Sequence, residues 1–197
     1  MTTTKDLPLA HGRYIAVLST LVLALLATGC SGDDDEDDPL PTPTPAARNL
    51  HFTPSSPSGE SQSFWLTSTT QDVPTINVDV NVRFSAGCAP SKFRGTLVYD
   101  ASLLKVLNYS DGTFFQQGGA VVTTIVQNAT PGNVVIRLDR PDSTGGVSGQ
   151  GVAITIRFQA KDQTTGLSPL QWTDTNAYTP SFTDCLLVAR NASIAVQ

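Results

Sequence analysis

From Thr75 to Phe84 apolar and polar residues alternate without a break: Ile76, Val78, Val80, Val82 and Phe84 on one side, Thr75, Asn77, Asp79, Asn81 and Arg83 on the other. A period of two predicts a strand with one buried and one solvated face. The same alternation runs through Val152, Ile154, Ile156 and Phe158 against Ala153, Thr155, Arg157 and Gln159. Shorter segments of this kind are Ser63–Ser68, Phe93–Tyr99, Lys105–Tyr109, Val121–Gln127, Asn133–Asp139, Leu167–Trp172 and Leu186–Val196. Asp111-Gly112, Gly118-Gly119, Pro131-Gly132 and Gly145-Gly146 supply turn signals between several of them. No stretch keeps a helical period for longer than a turn; Ala101 to Leu104 suits one turn, with Asp100 placed to cap it. Many short, half-buried strands predict an all-β fold, a two-sheet β-sandwich with jelly-roll topology.

The pattern is different before residue 49. Tyr14 to Leu26 is a nearly unbroken apolar run behind Lys5 and Arg13. It is shorter than the roughly 20 residues that cross a bilayer and suits the apolar centre of a signal peptide. Its end, Leu26-Ala27-Thr28-Gly29-Cys30, resembles the lipobox of bacterial lipoproteins. That resemblance implies cleavage before Cys30 and lipid on its thiol, and two or more acyl chains make a stable anchor. Residues 1–29 are therefore expected to be the signal peptide. Residues 30–48 form an acidic, then Pro- and Thr-rich linker, and residues 49–197 the β-domain. Repelling charges and alternating prolines make the linker an extended spacer. Acidic residues just after a lipidated cysteine also resemble surface-export signals of some Gram-negative lipoproteins. Ser31 is not an aspartate-type retention signal, so the expected location is the outer membrane or cell surface.

Charge follows the same division. The formal net charge is −5. Lys5, Asp6 and Arg13 contribute +1, and the six acidic residues from Asp33 to Asp38 contribute −6, so the remainder is neutral. A neutral domain without a basic run gives no footprint for nucleic acid. Its single histidine, His51, and single glutamate, Glu60, both stand near its start. Histidine-based hydrolysis and zinc sites built on histidine are thus poorly supported, and paired carboxylates for glycoside cleavage would have to come from the nine aspartates of the domain. Asp139 and Asp142 flank Pro141 without the regular oxygen spacing of a calcium loop, and they read as turn residues. The expectation is no enzyme, no metal and no cofactor.

Trp65, Trp172, Tyr109, Tyr178, Phe114 and Phe115 keep a second reading open, binding of polysaccharide, which needs several aromatic rings exposed in a flat row. Cys88 and Cys185 are the cysteines left after Cys30, and in an oxidising compartment an even pair predicts a disulfide.

Three segments, in order, carry a resemblance: Gly95-Thr96-Leu97-Val98-Tyr99-Asp100-Ala101-Ser102-Leu103-Leu104-Lys105-Val106, Asp111-Gly112-Thr113-Phe114-Phe115, and the Gly-rich approach Gly145 to Gly151 into the strand ending at Phe158. Together they resemble the cohesin domain, the receptor that binds dockerin modules in cellulosomes, whose jelly roll is shared with some carbohydrate-binding modules. The resemblance implies a protein partner, dockerin-bearing or similar, held on one sheet face. With Leu97 and Tyr99 inward, that face would carry Lys92, Arg94 and Thr96, and on the neighbouring strand Asn133, Val135 and Arg137. Arg94 stands where the family tends to have an acidic or amide residue.

Overall fold

Thr75–Phe84 folds as the strand its alternation predicts: Ile76, Val78, Val80, Val82 and Phe84 are buried, and the residues between them face outward. It is the third strand in a computed structural model that describes residues 46–54, 59–161 and 164–197. The expected signal peptide, Cys30 and the expected linker up to residue 45 lie outside the described residues. In chain order the strands are β1 (Leu50–Thr53), β2 (Ser63–Thr67), β3 (Thr75–Phe84), β4 (Lys92–Val98), β5 (Leu104–Asp111) and β6 (Thr123–Gln127). Then follow β7 (Asn133–Asp139), β8 (Gly149–Ala160), β9 (Gly166–Tyr178), β10 (Asp184–Cys185), β11 (Val188–Ala189) and β12 (Ala192–Val196).

They form a two-sheet β-sandwich, as the sequence predicts. One sheet has the order β1-β12-β9-β4-β7-β6, with β10 added along β9; the other has the order β11-β2-β3-β8-β5. The inner faces meet through edge-to-face rings, which suit the quadrupole of aromatic pairs. Phe64 on β2 packs on Phe93 of β4 at 5.7 Å and on Trp172 of β9 at 4.9 Å. Farther along, Tyr99 packs on Phe158 of β8 at 5.5 Å.

The turn after β4 forms as expected. Asp100 accepts hydrogen bonds from the Ser102 amide at 2.8 Å and the Ser102 hydroxyl at 2.6 Å, and these bonds hold its carboxyl below the ordinary value. The Gly-rich approach to β8 is needed for space as well as for turning. A Cβ on Gly146 would collide with the Ala89 carbonyl, so only glycine lets this loop lie on the β3–β4 connection.

Three expectations need correction. β1 has no counterpart in the alternation read from the sequence; it is a four-residue strand held by β12. β9 runs six residues past Trp172, through the polar run Thr173 to Tyr178, because β4 supplies its backbone partners. The expected strand over Leu186–Val196 is broken. Cys185 pairs beside Ala177, Val188–Ala189 crosses to lie parallel to β2, and Ala192–Val196 returns to the first sheet. Asn191 at the return accepts a hydrogen bond from the Trp172 amide at 3.1 Å, which pins the crossing.

Candidate partner-binding face

Inward packing of Phe93 and Leu97 turns the alternate residues of β4 outward, and Val134, Ile136 and Leu138 do the same for β7. Lys92, Arg94 and Thr96 therefore share a surface with Asn133, Val135 and Arg137. Antiparallel register arranges them in rows across the sheet. Asn176, Arg94, Arg137 and Ile125 make one row. Tyr178, Lys92, Asp139 and Thr123 make the row beside it; Thr173, Thr96, Val135 and Gln127 make the row on the other side. Asn133 lies farther along, opposite Val98.

Between the first and third rows β9 carries an extra residue. Arg94 aligns with Asn176 but Thr96 with Thr173, and Asp174 takes a left-handed φ of 52° to absorb the insertion. The bulge opens a shallow cavity of about 250 Å³ lined by Arg94, Thr96, Val135, Arg137, Asp174 and Asn176, among others.

Electrostatics differ between the rows. Lys92 stands opposite Asp139 and donates to Asp142 at 2.6 Å, while the Ser91 hydroxyl donates to the same carboxylate oxygen at 3.0 Å. The bonds from Lys92 and then Ser91 hold the Asp142 carboxyl below its ordinary value. Arg94 and Arg137 are both exposed and directly opposite each other, and neither has a hydrogen-bond or ion-pair partner among the described residues.

The same end carries further residues. Asn176 and Asp174, with Tyr178 that was singled out for its ring alone, come from the part of β9 hidden in a polar run, and only the alternation after Trp172, continued through a one-residue bulge, could have placed them on this face. Ile125 on β6 is partly exposed. Phe182, in the hairpin from β9 to β10, is 67% exposed and has φ 61°, a conformation unfavourable for a bulky residue. The Lys92 ammonium sits 4.4 Å from the centre of its ring.

The other predicted sites are placed as follows. Cys88 and Cys185 are joined in a disulfide with Cα atoms 5.9 Å apart. Cys30 is outside the described residues. Trp65, Trp172, Phe114 and Phe115 are buried, while Tyr109 and Tyr178 stand on different sheets, so the six rings make no flat row. Among the described residues no group of three histidine, cysteine, aspartate or glutamate side chains is placed to hold a metal, and Asp142 begins a short turn.

Comparison with known proteins gives one family. The family model described as the cohesin domain matches residues 66–188. No curated protein matches the chain by sequence. Among solved structures, the CaCohA2 cohesin of Clostridium acetobutylicum is similar at 19% identity and a TM-score of 0.53, over 68% of this chain and 89% of that one. The sixth cohesin of scaffoldin B from Acetivibrio cellulolyticus, solved with a Cel5 dockerin, is similar at 18% identity and a TM-score of 0.53, over 75% and 97%. A Coh-OlpC–Doc435 complex from Clostridium thermocellum is similar at 16% identity and a TM-score of 0.51, over 60% and 81%. At these identities the likeness is one of fold.

Proposed function

The chain belongs to the cohesin domain family, and from that premise we propose that it holds a dockerin-like protein on its β9-β4-β7-β6 face while lipid on Cys30 tethers it to the cell envelope. A cohesin domain is a non-catalytic, protein-binding module, and this chain carries one. One observation carries the choice of surface. The outer rows of β9, β4, β7 and β6 form a continuous half-exposed face with a cavity at its centre and an exposed aromatic ring at one end. The partners seen with the Acetivibrio and Clostridium thermocellum relatives are dockerins, which favours a protein over a small ligand. Lys92, Arg94, Thr96, Asn133, Val135 and Arg137 are the proposed contact residues, joined by Asn176, Tyr178 and Ile125. The linker of residues 30–48 would hold this module off the outer membrane.

The test uses soluble residues 49–197 as bait for the secreted proteins of the host. Capture of one dockerin-like chain, lost on Thr96→Trp, is the expected result. Capture unchanged by Thr96→Trp would move the site elsewhere, and retention on insoluble polysaccharide with no protein captured would overturn the receptor reading. For the tether, Cys30→Ala in the full chain should leave the domain folded but move it from the membrane fraction to the soluble one.

A further inference from the structure

We propose that the partner inserts one acidic side chain, aspartate or glutamate, between Arg94 and Arg137. This rests on the face assigned above and names the chemistry that the face selects.

Two like charges directly opposite on neighbouring strands repel each other and destabilise a sheet. Elsewhere on this face the repulsion of a cation is answered from within: Lys92 has Asp139 across the strand and Asp142 at 2.6 Å. One row away no such answer exists. Arg94 faces Arg137, with Asn176 and Ile125 at the two ends of the row, and no carboxylate lies within ion-pair distance of either guanidinium among the described residues. The bulge in β9 then leaves the cavity beside this pair. Guanidinium forks bind carboxylate through parallel N–H donors, so one incoming carboxylate can accept from both arginines and relieve their repulsion.

The wall of the cavity also limits the charge of the occupant. Asp174 lines it, so the two arginines are set against one fixed carboxylate and the local excess is a single positive charge. A polyanion would meet Asp174, Asp139 and Asp142 on the same face, whereas a single acidic side chain in the cavity meets two arginines against Asp174. Val135 and Ile125 beside Arg137 offer apolar surface for the methylene stem of that side chain.

The experiment is an NMR titration of residues 49–197 with the blocked tripeptide acetyl-Ala-Glu-Ala-amide, following the side-chain Nε–H signals of the arginines. Saturable shifts of the Arg94 and Arg137 signals are expected, absent with the Gln-centred twin. Affinity should fall roughly ten- to a hundredfold in the Arg94→Gln/Arg137→Gln protein, the range for losing a hydrogen bond to a charged group. No saturable shift, a shift centred on other arginines, or tighter binding of galacturonate than of the tripeptide would overturn the proposal. The face itself is judged separately with the captured host protein. Capture that survives Arg94→Gln/Arg137→Gln but fails with Thr96→Trp ends the acidic reading and leaves the face standing. Capture that survives both removes the face.

Discussion

Cys88 and Cys185 join across 97 residues of sequence, with Cα atoms 5.9 Å apart, and so fasten the β3–β4 connection to the short strand β10. The bond lies beside the proposed face. Cys185 pairs with Ala177 on β9, the Ser91 amide bonds to the Tyr178 carbonyl at 2.8 Å, and Phe182 stands in the hairpin that leads directly into Cys185. Chain entropy for a loop of this length predicts a stabilisation of about 4–5 kcal/mol. Cys88→Ser/Cys185→Ser should lower the free energy of unfolding by several kcal/mol in urea titrations. It should also release the 179–183 hairpin, seen as faster amide exchange there than in β4 or β7. Equal exchange in both proteins would show that hydrogen bonds alone hold the hairpin.

Phe182 opposes stability and binding to each other. An L residue in the left-handed region costs about 1–2 kcal/mol. The contact with Lys92 returns roughly 0.5–1 kcal/mol at an exposed site. Phe182→Gly should therefore leave the melting temperature unchanged or raise it, while weakening capture of the partner. A clear fall in melting temperature would mean that the ring is needed to fold the hairpin.

Arg140 is 6% exposed and has no carboxylate partner among the described residues. Its guanidinium donates instead to carbonyls of Phe115 at 2.8 Å, Gln117 at 2.6 Å, Gly145 at 2.9 Å and Thr144 at 3.2 Å, tying two loops together. Hydrogen bonds to a charged group contribute about 1.5–3 kcal/mol each and do not add fully. Arg140→Leu should cost at least about 2 kcal/mol. Arg140→Lys should cost nearly as much, because an ammonium lacks the fork that reaches acceptors on two sides. Full stability of the lysine variant in urea titrations would reduce the guanidinium to a simple charge.

Asp142 links stability to acid. Its folded value lies below the ordinary 3.8 because Lys92, and then Ser91, donate to it. A carboxyl with a lowered folded value adds stability that is complete above its unfolded value and is lost as the pH falls through the folded one. Asp142→Asn should be less stable than the parent at neutral pH, and the two unfolding curves should converge in strong acid. A constant offset at every pH would assign the loss to geometry rather than to ionisation. Asp100, lowered by Ser102, should behave likewise.

The alternation at Thr75–Phe84 determined one strand to the residue, since a period of two follows from the pleat alone and needs no knowledge of neighbours. The outward direction of Lys92, Arg94 and Thr96, and of Asn133, Val135 and Arg137, was legible for the same reason. The pairing of Cys88 with Cys185 was legible because residues 49–197 hold just these two thiols. What those residues meet was not legible. That Arg94 stands opposite Arg137, while Lys92 has Asp139, depends on the register of two strands far apart in sequence. The polar run after Trp172 became strand because β4 lay alongside to accept its backbone, and Asp174 became a bulge because β9 has one residue more than β4 there. Side-chain periodicity is a local property, written residue by residue; strand partners, bulges and the charges brought face to face are set only when distant backbone groups must find each other to leave water.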